Sequence, residues 1–551
     1  MNPVQQPRKK DTIAGMHTNL NQSKSFLLYL VATALLCGAI IMAVEVMGSR
    51  VVGPFFGVSL FVWTSLIAVT MIALAAGYAI GGVLADKRSS PDYLFGIILI
   101  AGFLVILVPF FKGMVLKACM PLGLRSGAFV STMLLFGPSL FMLGCVSPYI
   151  IRLATQEMQN IGRTVGGFYA ISTVGSVVGT ALTGFILIAY FGVDQIFFIS
   201  GMLLILLSVI YFLVFRRQWA FAILLLAPAF LSEPGPADAS YMPDGTKVIE
   251  TYSKDSRYGK IKIIDYSYGA RSIRELTIDG LVQGGIDPSN MMSIYSYSYL
   301  LEYLPSALNP GGRECLVIGL GAGIVPRWYE ERGVRTDVVD IDPDIETVAR
   351  EYMGFRSERP VIIEDARYFL NSSDKNYDYI ILDVFNGDIT PGHVLSLEAF
   401  ELMQQRMSDR GVLAINLVGS VRDHTRMTAS VIKTLESIFA TVDVYLTFDP
   451  ELGDGAGNLV ILAYDSPQID VPPPNPAVFP VHPYAIESVM EIRKGRFRLP
   501  EHDDAIILTD DYNPLDVFDI WLKEKTRQGI IENTPWDILI SEGSSVTRAA
   551  V

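Results

Sequence analysis

Hydrophobic residues in the first 235 positions gather into stretches long enough to cross a bilayer. A helix needs about 20 apolar residues to span the hydrocarbon core. Six stretches meet this requirement, and a seventh is short and interrupted by a proline. The six are Phe26–Val46, Phe55–Leu84, Tyr93–Phe111, Phe129–Ile151, Gly167–Phe191 and Ile196–Phe215, and the seventh is Trp219–Leu231. This pattern predicts a multi-span α-helical membrane domain over residues 26–235, preceded by an N-terminal tail of residues 1–25.

Small residues recur along the fifth stretch, and they would let neighbouring helices approach closely. They are Ser172, Gly175, Ser176, Gly179 and Gly184. Helix packing explains this pattern, and a transport pathway is the alternative. A pathway usually needs charges inside the membrane, and in the spans only Glu45 stands out, close to Arg50. An interfacial pair between these two residues is an equally good interpretation of Glu45.

The pattern changes beyond a Pro-, Gly-, Ala- and Asp-rich linker at residues 236–246. Tyr258–Tyr266 and Arg274–Ile278 are predicted strands, so residues 236–310 are interpreted as a linker and a small β-rich subdomain. Strands and helices then alternate through residues 311–551, which predicts a Rossmann-like α/β domain with a parallel sheet. Its predicted strands are Cys315–Gly319, Thr336–Ile341, Val361–Ile363, Tyr379–Val384 and Val412–Leu417, and its predicted helices are Gly323–Arg332, Pro343–Tyr352 and Leu397–Met407.

Charge divides the chain at the same place. Residues 1–235 contain 14 basic and 7 acidic residues, whereas the remainder contains 29 basic and 49 acidic ones. The acidic second half argues against nucleic acid as a partner, because phosphate binding needs a basic face. The four cysteines have no paired spacing, so neither a disulfide framework nor a metal site is predicted.

Basic residues in the short loops predict the orientation of the spans. With the N-terminus in the cytoplasm, ten Lys and Arg residues lie inside and four lie outside. The sequence thus predicts a multi-pass protein of the cell (inner) membrane, with the lipid bilayer as a partner. Six spans would place the second half in the cytoplasm and seven would place it outside, so its side stays open.

A glycine-rich loop follows the first predicted strand of the α/β domain. Gly319, Gly321 and Gly323 lie between a strand and a helix, and Asp340 ends the next strand. Glycines allow close approach to a cofactor, and the carboxylate of Asp340 can accept hydrogen bonds from ribose hydroxyls. The acidic–small pair Asp365-Ala366 follows a third strand and can receive an adenine amino group. Three such elements in order predict a bound adenosyl cofactor.

These residues carry a family resemblance. Ser256–Gly259, Leu276–Gln283, the glycine loop, Asp340–Asp342, Asp365-Ala366 and Asp378–Asp383 resemble the spermidine synthases in order and spacing. In the first half, Gly77–Lys87 resembles the short loop signature of major facilitator transporters. Together the halves resemble membrane-fused polyamine aminopropyltransferases. The resemblance implies a class I methyltransferase-type fold, and no metal.

The resemblance also implies a reaction and roles for individual residues. In that family, decarboxylated S-adenosylmethionine donates an aminopropyl group to a diamine. Gln283, Asp340 and Asp365 would hold the nucleoside, Asp383 would be the catalytic base, and Tyr297 would assist at the amine. A carboxylate at the end of a strand is suited to take the proton that an attacking amine must lose.

Several positions depart from the family pattern. The glycine loop has Ala322 where an acid usually grips the donor amine, Ser298-Tyr299 follows Tyr297 in place of a His-Glu or Gln-Glu pair, and Asn386 replaces a second acid. Asp388 would restore that charge from two positions away. Asp510 and Asp511 either cap a helix or reach the pocket to bind the diamine. His393 is either an alternative base or a solvent-facing loop residue.

Three functions therefore stay open. The first is a membrane-anchored transferase that moves an aminopropyl group to a polyamine, a small-molecule partner. The second is a methyltransferase that uses S-adenosylmethionine, which Ala322 favours because the methyl donor keeps its carboxylate. The third is a non-catalytic module that binds a polyamine or nucleoside and is coupled to the membrane domain. The oligomeric state stays open too, with a homodimer among the possibilities.

Overall fold

The computed structural model describes residues 24–57, 60–155, 161–225, 239–384, 391–500 and 502–541. The chain divides into two compact units, with the boundary between residues 235 and 236. The first unit is helical. The second contains two β-sheets and the helices that pack on them. The predicted fold class, apolar helices followed by an α/β domain with a small β subdomain, is confirmed.

The first unit consists of apolar helices. They are α1 Lys24–Phe56, α2 Leu60–Lys87, α3 Pro91–Cys119, α4 Gly123–Leu135, α5 Gly137–Ala154, α6 Ile161–Leu182 and α7 Val193–Ile210. A short turn, Met120–Leu122, joins α3 to α4, and π-helical turns extend α6 to Leu187 and α7 to Phe215. Counted as six continuous runs, the helices in the described part of the chain are long and apolar enough to cross a membrane.

The helix boundaries differ from the predicted ones at several ends, and two of these differences are large. The predicted span Phe129–Ile151 is divided between α4 and α5, because Pro138 lies in the first turn of α5 and has no N–H for a continuous helix. Helix α1 runs to Phe56, well beyond the predicted end at Val46. Within the predicted seventh stretch, Trp219–Leu225 forms a short 3₁₀ segment. Residues 226–231 of that stretch lie outside the described residues.

Small residues bring α1 and α6 into backbone contact, as their pattern predicted. A Cβ atom on Gly175 would lie 2.0 Å from the carbonyl oxygen of Leu35, and one on Gly179 would lie 2.3 Å from that of Ala39. A side chain at either position would therefore force the two helices apart. A Cβ atom on Gly184 would meet no atom within 4 Å, so this glycine has no packing role of that kind.

Two ion pairs join α3 to α7, and the sequence did not reveal them. Lys112 Nζ lies 2.8 Å and 2.6 Å from the two carboxylate oxygens of Asp194, and both residues are buried. Toward the other end of the same helices, the guanidinium of Arg216 pairs with Asp92, which also accepts a hydrogen bond of 2.6 Å from Tyr211. The partners are far apart in sequence, so the pairing depends on the packing of the helices.

The second unit begins with an antiparallel six-stranded sheet. Its strands follow chain order: β1 Ser240–Tyr241, β2 Lys247–Asp255, β3 Lys260–Tyr268, β4 Arg271–Ile278, β5 Leu281–Asp287 and β6 Met292–Ser293. The sequence predicted only β3 and β4. Between β4 and β5 the register shifts, because Thr277 pairs with Val282 whereas Leu276 pairs with Gly284. Gln283 is therefore the extra residue of a β-bulge.

The larger sheet has seven strands in the order β12, β13, β11, β10, β7, β8, β9. They are β7 Glu314–Ile318, β8 Arg335–Asp340, β9 Ile362–Ile363, β10 Tyr377–Leu382, β11 Met407–Ser420, β12 Thr441–Leu446 and β13 Ala456–Tyr464. The prediction of a purely parallel sheet is wrong at one edge, where β13 runs antiparallel to both β11 and β12. The segment between β12 and β13 is too short for a crossover, so the chain turns back.

Helices cover the larger sheet and extend beyond it to the C-terminal part of the chain. They are α8 Ser296–Leu308, α9 Ile324–Glu331, α10 Pro343–Tyr352, α11 Ala366–Ser372, α12 Leu397–Gln405, α13 Arg426–Glu436, α14 Ile486–Met490, α15 Leu515–Phe518, α16 Ile520–Asn533 and α17 Trp536–Ile540. Helix α16 packs near the small sheet: Arg527 is 2% exposed and donates a hydrogen bond of 2.7 Å to the backbone oxygen of Asp279. The sequence did not predict α8, α11 or α13 to α17.

Candidate active site

A cavity of about 170 Å³ lies at the carboxyl ends of β7, β8 and β10. Parallel strands in α/β folds present their ligand-binding residues at this edge. The structure brings most of the predicted cofactor residues together here. Those that line the cavity are Gln283, Gly319, Gly321, Asp340, Asp365 and Ala366, and the predicted base Asp383 lines it with them.

The glycine loop follows β7, and its three glycines have positive φ angles, which favour glycine. A Cβ atom on Gly319 would lie 2.1 Å from the backbone oxygen of Asp383, so this glycine lets β7 and β10 end side by side. A Cβ atom on Gly323 would lie 2.6 Å from Phe355. Gly323 is thus required for packing at the start of α9, and it does not line the cavity.

Asp340 ends β8 and ties the glycine loop to the next turn. Its carboxylate oxygens accept hydrogen bonds of 2.8 Å from the backbone N–H groups of Leu320 and Asp342. Burial raises the pKa of Asp340 from 3.8 to about 6, against the lowering effect of these hydrogen bonds. Each carboxylate oxygen keeps a further lone pair, so Asp340 can still accept a hydroxyl group from a ligand in the cavity.

Asp365 caps helix α11 and contacts His393. One carboxylate oxygen accepts a hydrogen bond of 3.1 Å from the backbone N–H of Tyr368, as an N-cap residue does. The other lies 3.1 Å from Nε2 of His393. His393 therefore lines the cavity beside Asp365, where it serves as that residue's partner. This geometry gives no support to His393 as the base.

Asp383 follows the last residue of β10 and occupies the centre of the site. Asn416, on β11, donates a hydrogen bond of 2.8 Å from its side-chain nitrogen to Oδ1 of Asp383. The side-chain oxygen of Asn416 accepts a hydrogen bond of 2.9 Å from Asn458, on β13. Two amides in series thus fix the orientation of the carboxylate.

Burial raises the pKa values of both predicted catalytic residues, Asp383 and Tyr297. It raises the pKa of Asp383 from 3.8 to about 6, and the hydrogen bond from Asn416 lowers it in part. Burial and the nearby charge of Asp383 raise the pKa of Tyr297 well above 10. Tyr297 therefore stays protonated at neutral pH and presents a hydroxyl group. The hydroxyl of Tyr297 donates a hydrogen bond of 3.4 Å to the backbone oxygen of Gln283, a residue that lines the cavity with Asp383.

A second cavity of about 450 Å³ adjoins the first. Gln283, the extra residue of the bulge in β5, lines both cavities. Tyr297 and Asn416 line the second cavity. The carboxylate of Asp383, held by Asn416, therefore lies between a space suited to a nucleoside and a space for another molecule.

Asp510 and Asp511 do not line either cavity. Asp510 forms two hydrogen bonds with Arg367, of 3.0 Å and 2.6 Å, and accepts another of 2.6 Å from Ser396. Arg367 lies on α11 and Ser396 lies at the start of α12. The carboxylate of Asp510 is therefore bound to these two residues and does not line the pocket that it was predicted to reach. Asn386 and Asp388, the other two predicted substrate ligands, lie outside the described residues.

The residues that replace the family's polar pair after Tyr297 point into the protein. Ser298 is 1% exposed and donates to the backbone oxygen of Tyr295 over 2.9 Å. Tyr299 donates to the backbone oxygen of Ser293 over 2.7 Å and accepts from the N–H of His482. Neither side chain lines either cavity.

Sequence reasoning missed other residues of the site. Glu275 and Thr277 on β4, Asn458 on β13, and the residues of α16 line the second cavity. The only signal was the alternation along β4, which places Glu275 and Thr277 on one face of the strand. The remaining residues come from segments whose partners in the fold are far away in sequence, and no local pattern marks them.

Comparison with known proteins assigns the larger sheet to a family. The spermine/spermidine synthase domain matches residues 294–471. The N-terminal histidine N-methyltransferase of Emericella nidulans is 36% identical over 161 residues, which cover 28% of this chain and 28% of that protein. The polyamine aminopropyltransferase of Vibrio vulnificus is 30% identical over 162 residues, which cover 28% of this chain and 51% of that protein.

A solved structure also matches part of this chain. The crystal structure of a probable spermidine synthase from Corynebacterium glutamicum matches with a TM-score of 0.37 and 20% identity, over 44% of this chain and 88% of that one. This chain matches only about a quarter of the length of the Emericella protein and about half of the length of the Vibrio protein. The C-terminal part of the chain therefore contains a spermine/spermidine synthase domain and is homologous to the polyamine aminopropyltransferases.

Proposed function

We propose that the second unit transfers an aminopropyl group from decarboxylated S-adenosylmethionine to an amine of the polyamine class. The position of Asp383 carries this proposal. Its carboxylate lines the smaller cavity, and its hydrogen-bonded partner Asn416 lines the adjoining one. A base between two binding spaces suits a reaction between a donor in one and an amine in the other. The homologous aminopropyltransferases support the same reaction.

The donor supplies a carbon atom activated by an adjacent sulfonium. The lone pair of the amine forms a nitrogen–carbon bond, the carbon–sulfur bond breaks with its electrons going to sulfur, and the thioether leaves. The amine nitrogen then carries one proton too many, and Asp383 accepts it. Since burial raises the pKa of Asp383 to about 6, the carboxylate is ionised near neutral pH and is a stronger base than an ordinary aspartate.

Three residues would hold the donor. Asp340 retains lone pairs for ribose hydroxyls, and Asp365, which lines the same cavity, would accept a hydrogen bond from an adenine amino group. Gln283 reaches the junction of the two cavities from its bulge. Tyr297 keeps its proton, and its hydroxyl donates a hydrogen bond of 3.4 Å to the backbone oxygen of Gln283. Its oxygen would therefore accept an N–H of the reacting amine and leave the amine's lone pair free to attack.

Methyl transfer from S-adenosylmethionine is the second candidate, and Ala322 favours it. This residue is 4% exposed in the glycine loop, so the chain offers no carboxylate there for the free amine of a decarboxylated donor. A methyl donor carries a carboxylate of its own, which an acid at this position would repel. The homologous stretch in a histidine N-methyltransferase supports this candidate too.

One experiment separates the candidates. The full chain is purified in detergent and incubated with 1,4-diaminobutane and either donor, and the products are identified by mass spectrometry. We expect an aminopropyl increment with the decarboxylated donor and none in Asp383→Asn. A methyl increment with S-adenosylmethionine alone would reject aminopropyl transfer. Donor binding without any product, unchanged in Asp383→Asn, would instead indicate a non-catalytic binding module.

We propose further that the chain is a multi-pass membrane protein whose second unit faces the cytoplasm. Six apolar helical runs in the described residues return the chain to the side on which it started. Large apolar side chains on α6 such as Val174, Val177 and Phe185 are exposed, as lipid-facing residues are. A reporter fused to the C-terminus tests this topology, and we expect it to be active in the cytoplasm. An extracytoplasmic signal would require a seventh crossing within residues 216–238.

A further inference from the structure

A third cavity, of about 570 Å³, lies in the second unit apart from the candidate active site. None of its described lining residues lines either of the two cavities around Asp383. Helices α8 and α9 supply one part of its wall, and the turn before β6 and the segment after α10 supply another. The proposed transfer reaction therefore makes no use of this space.

Glu302, on α8, is a buried acid that lines this cavity, and it is 2% exposed. Among the described residues its carboxylate has neither a hydrogen-bond donor nor an ion-pair partner. Its oxygens are not among the fully enclosed side-chain atoms that lack a partner, so they keep contact with the open space. A buried carboxylate without a partner is unfavourable. Its position at a cavity therefore points to a ligand that would pair with it.

The surroundings of Glu302 influence it electrostatically without binding it. Burial raises the pKa of Glu302 well above its usual value, and the positive charges of Arg332 and Arg327 lower it in part. Arg327 is bound elsewhere, since it donates a hydrogen bond of 2.5 Å to the backbone oxygen of Met291 and lies 3.9 Å from Glu331. An ammonium group next to Glu302 would favour the ionised carboxylate.

Two arginines at the exposed edge of the cavity have no acidic partner. Arg332 and Arg356 line it, and in the part of the chain that the structure describes neither forms an ion pair. The guanidinium carbon of Arg332 lies 3.8 Å from the centre of the Trp328 ring, which holds the side chain beside the cavity. A guanidinium group binds a carboxylate through two parallel hydrogen bonds. The exposed edge is therefore suited to a carboxylate.

Apolar side chains form much of the remaining wall, namely Met291, Met292, Ile324, Trp328 and Pro480. The charged residues of the described lining are three arginines and three glutamates, so the lining is neutral overall. A polyamine would be repelled by the arginines, and a phosphate would be repelled by the glutamates. A molecule that carries one charge of each sign and an apolar group satisfies the whole lining.

We propose that this cavity binds a free amino acid, with its ammonium group at Glu302 and its carboxylate at Arg332 and Arg356. The large apolar side chain of that amino acid would pack against Trp328. The assignment does not depend on the proposed transfer reaction, because the two sites share no described lining residue. Tyr297 and Glu302 both lie on α8, so an occupant would contact a helix that also lines the candidate active site.

The test titrates the full chain in detergent, by calorimetry, with three ligands that share a phenyl ring. They are L-phenylalanine, 2-phenylethylamine, which lacks the carboxylate, and 3-phenylpropionate, which lacks the amine. We expect L-phenylalanine to bind at least roughly 10-fold more tightly than either analogue, because it alone makes both charged contacts. Equal affinity of either analogue would overturn the proposal. L-leucine and L-methionine are titrated in parallel, and failure of all three amino acids to bind would overturn it too.

Two variants assign the charged contacts. Glu302→Gln should raise the Kd for L-phenylalanine and for 2-phenylethylamine roughly 10- to 100-fold, and that for 3-phenylpropionate less than about twofold. The double variant Arg332→Gln/Arg356→Gln should raise the Kd for L-phenylalanine and for 3-phenylpropionate roughly 3- to 10-fold and leave 2-phenylethylamine unaffected. Arg410→Gln is the matched control, since Arg410 is an exposed arginine that lines none of the three cavities.

The variants are chosen to keep the fold intact. Glutamine has nearly the volume of glutamate and carries no charge to bury, so we expect Glu302→Gln to melt at or above the wild-type temperature. The arginine changes affect only exposed side chains. Saturating S-adenosylmethionine should not displace L-phenylalanine from the wild type. Displacement would place the amino acid in the donor cavity, and equal effects of Glu302→Gln on all three ligands would remove Glu302 from the site. Either result would overturn the proposal.

Discussion

The side-chain nitrogen of Asn416 lies 2.8 Å from Oδ1 of Asp383, and this hydrogen bond orients the carboxylate at the junction of the two cavities. Asn416 is itself held by Asn458 over 2.9 Å. The two asparagines lie on neighbouring antiparallel strands, where Asn416 pairs with Val460 and Asn458 pairs with Val418.

Replacing Asn416 with alanine should slow the reaction and change its pH dependence. Burial raises the pKa of Asp383 to about 6 even though the hydrogen bond from Asn416 lowers it. Loss of this hydrogen bond should therefore move the acidic limb of the kcat/KM profile to higher pH and lower kcat, because the carboxylate is no longer held in one orientation. Asn371→Ala, an exposed asparagine on α11, serves as the control. An unshifted acidic limb in Asn416→Ala would argue against Asp383 as the base.

Replacing Asp383 with asparagine should abolish activity and stabilise the protein at alkaline pH. Burial raises the pKa of Asp383 from 3.8 to about 6, so the folded state holds its proton more tightly than the unfolded state. The stability of the wild type therefore falls as the pH rises through about 6. Asparagine avoids the buried charge, and we expect a gain of roughly 1–3 kcal/mol at about pH 8 and little at about pH 4. Melting curves at the two pH values measure this difference.

Replacing Asp510 with asparagine should leave acceptor kinetics unchanged. Arg367 and Ser396 occupy its carboxylate, and the charge of Arg367 and its hydrogen bond hold the pKa of Asp510 below its usual value. Because the pair is partly exposed, its loss should cost at most about 1 kcal/mol. We expect the KM for 1,4-diaminobutane to stay within about twofold of the wild type. A large, acceptor-specific rise in KM would restore the original prediction that Asp510 binds the diamine.

Replacing Asp194 with asparagine should destabilise the helical unit more than replacing both members of its ion pair. Asp194 and Lys112 are each less than 10% exposed. Removing one partner leaves a buried charge and costs roughly 3–5 kcal/mol, whereas replacing both with apolar residues of similar volume is often nearly neutral. Thermal unfolding in detergent should rank Lys112→Met/Asp194→Leu close to the wild type and above Asp194→Asn. The opposite ranking would show that the pair itself stabilises the unit.

The local sequence pattern was sufficient to predict those elements whose characteristic residues lie close together along the chain. The strand, glycine loop and acidic residue of β7 to β8 lie within 30 residues of one another, and their roles in the fold follow from that order. Gln283 was named from the family resemblance, but its bulge depends on pairing with β4. Asn416 and Asn458 come together only because β13 returns between β11 and β12.

The parts that the sequence did not predict depend on contacts over long distances along the chain. Helix α16 has weak apolar periodicity, and its place beside β4 depends on a hydrogen bond between Arg527 and Asp279, which are 248 positions apart. The pairing of Lys112 with Asp194 joins helices 82 positions apart. Asp510 shows the same limitation, since two adjacent acids do not indicate which arginine will bind one of them.

The two ion pairs between α3 and α7 lie a defined distance apart along α3. Asp92 and Lys112 are 20 positions apart on α3, which corresponds to about 30 Å of helix. That distance equals the thickness of a bilayer's hydrocarbon core, so the pairs would mark its two surfaces. If either helix slid by one turn, about 5.4 Å, both pairs would break together. The two pairs therefore hold α3 and α7 in a fixed register. Such a pair of helices is unsuited to the relative sliding that alternating access would require.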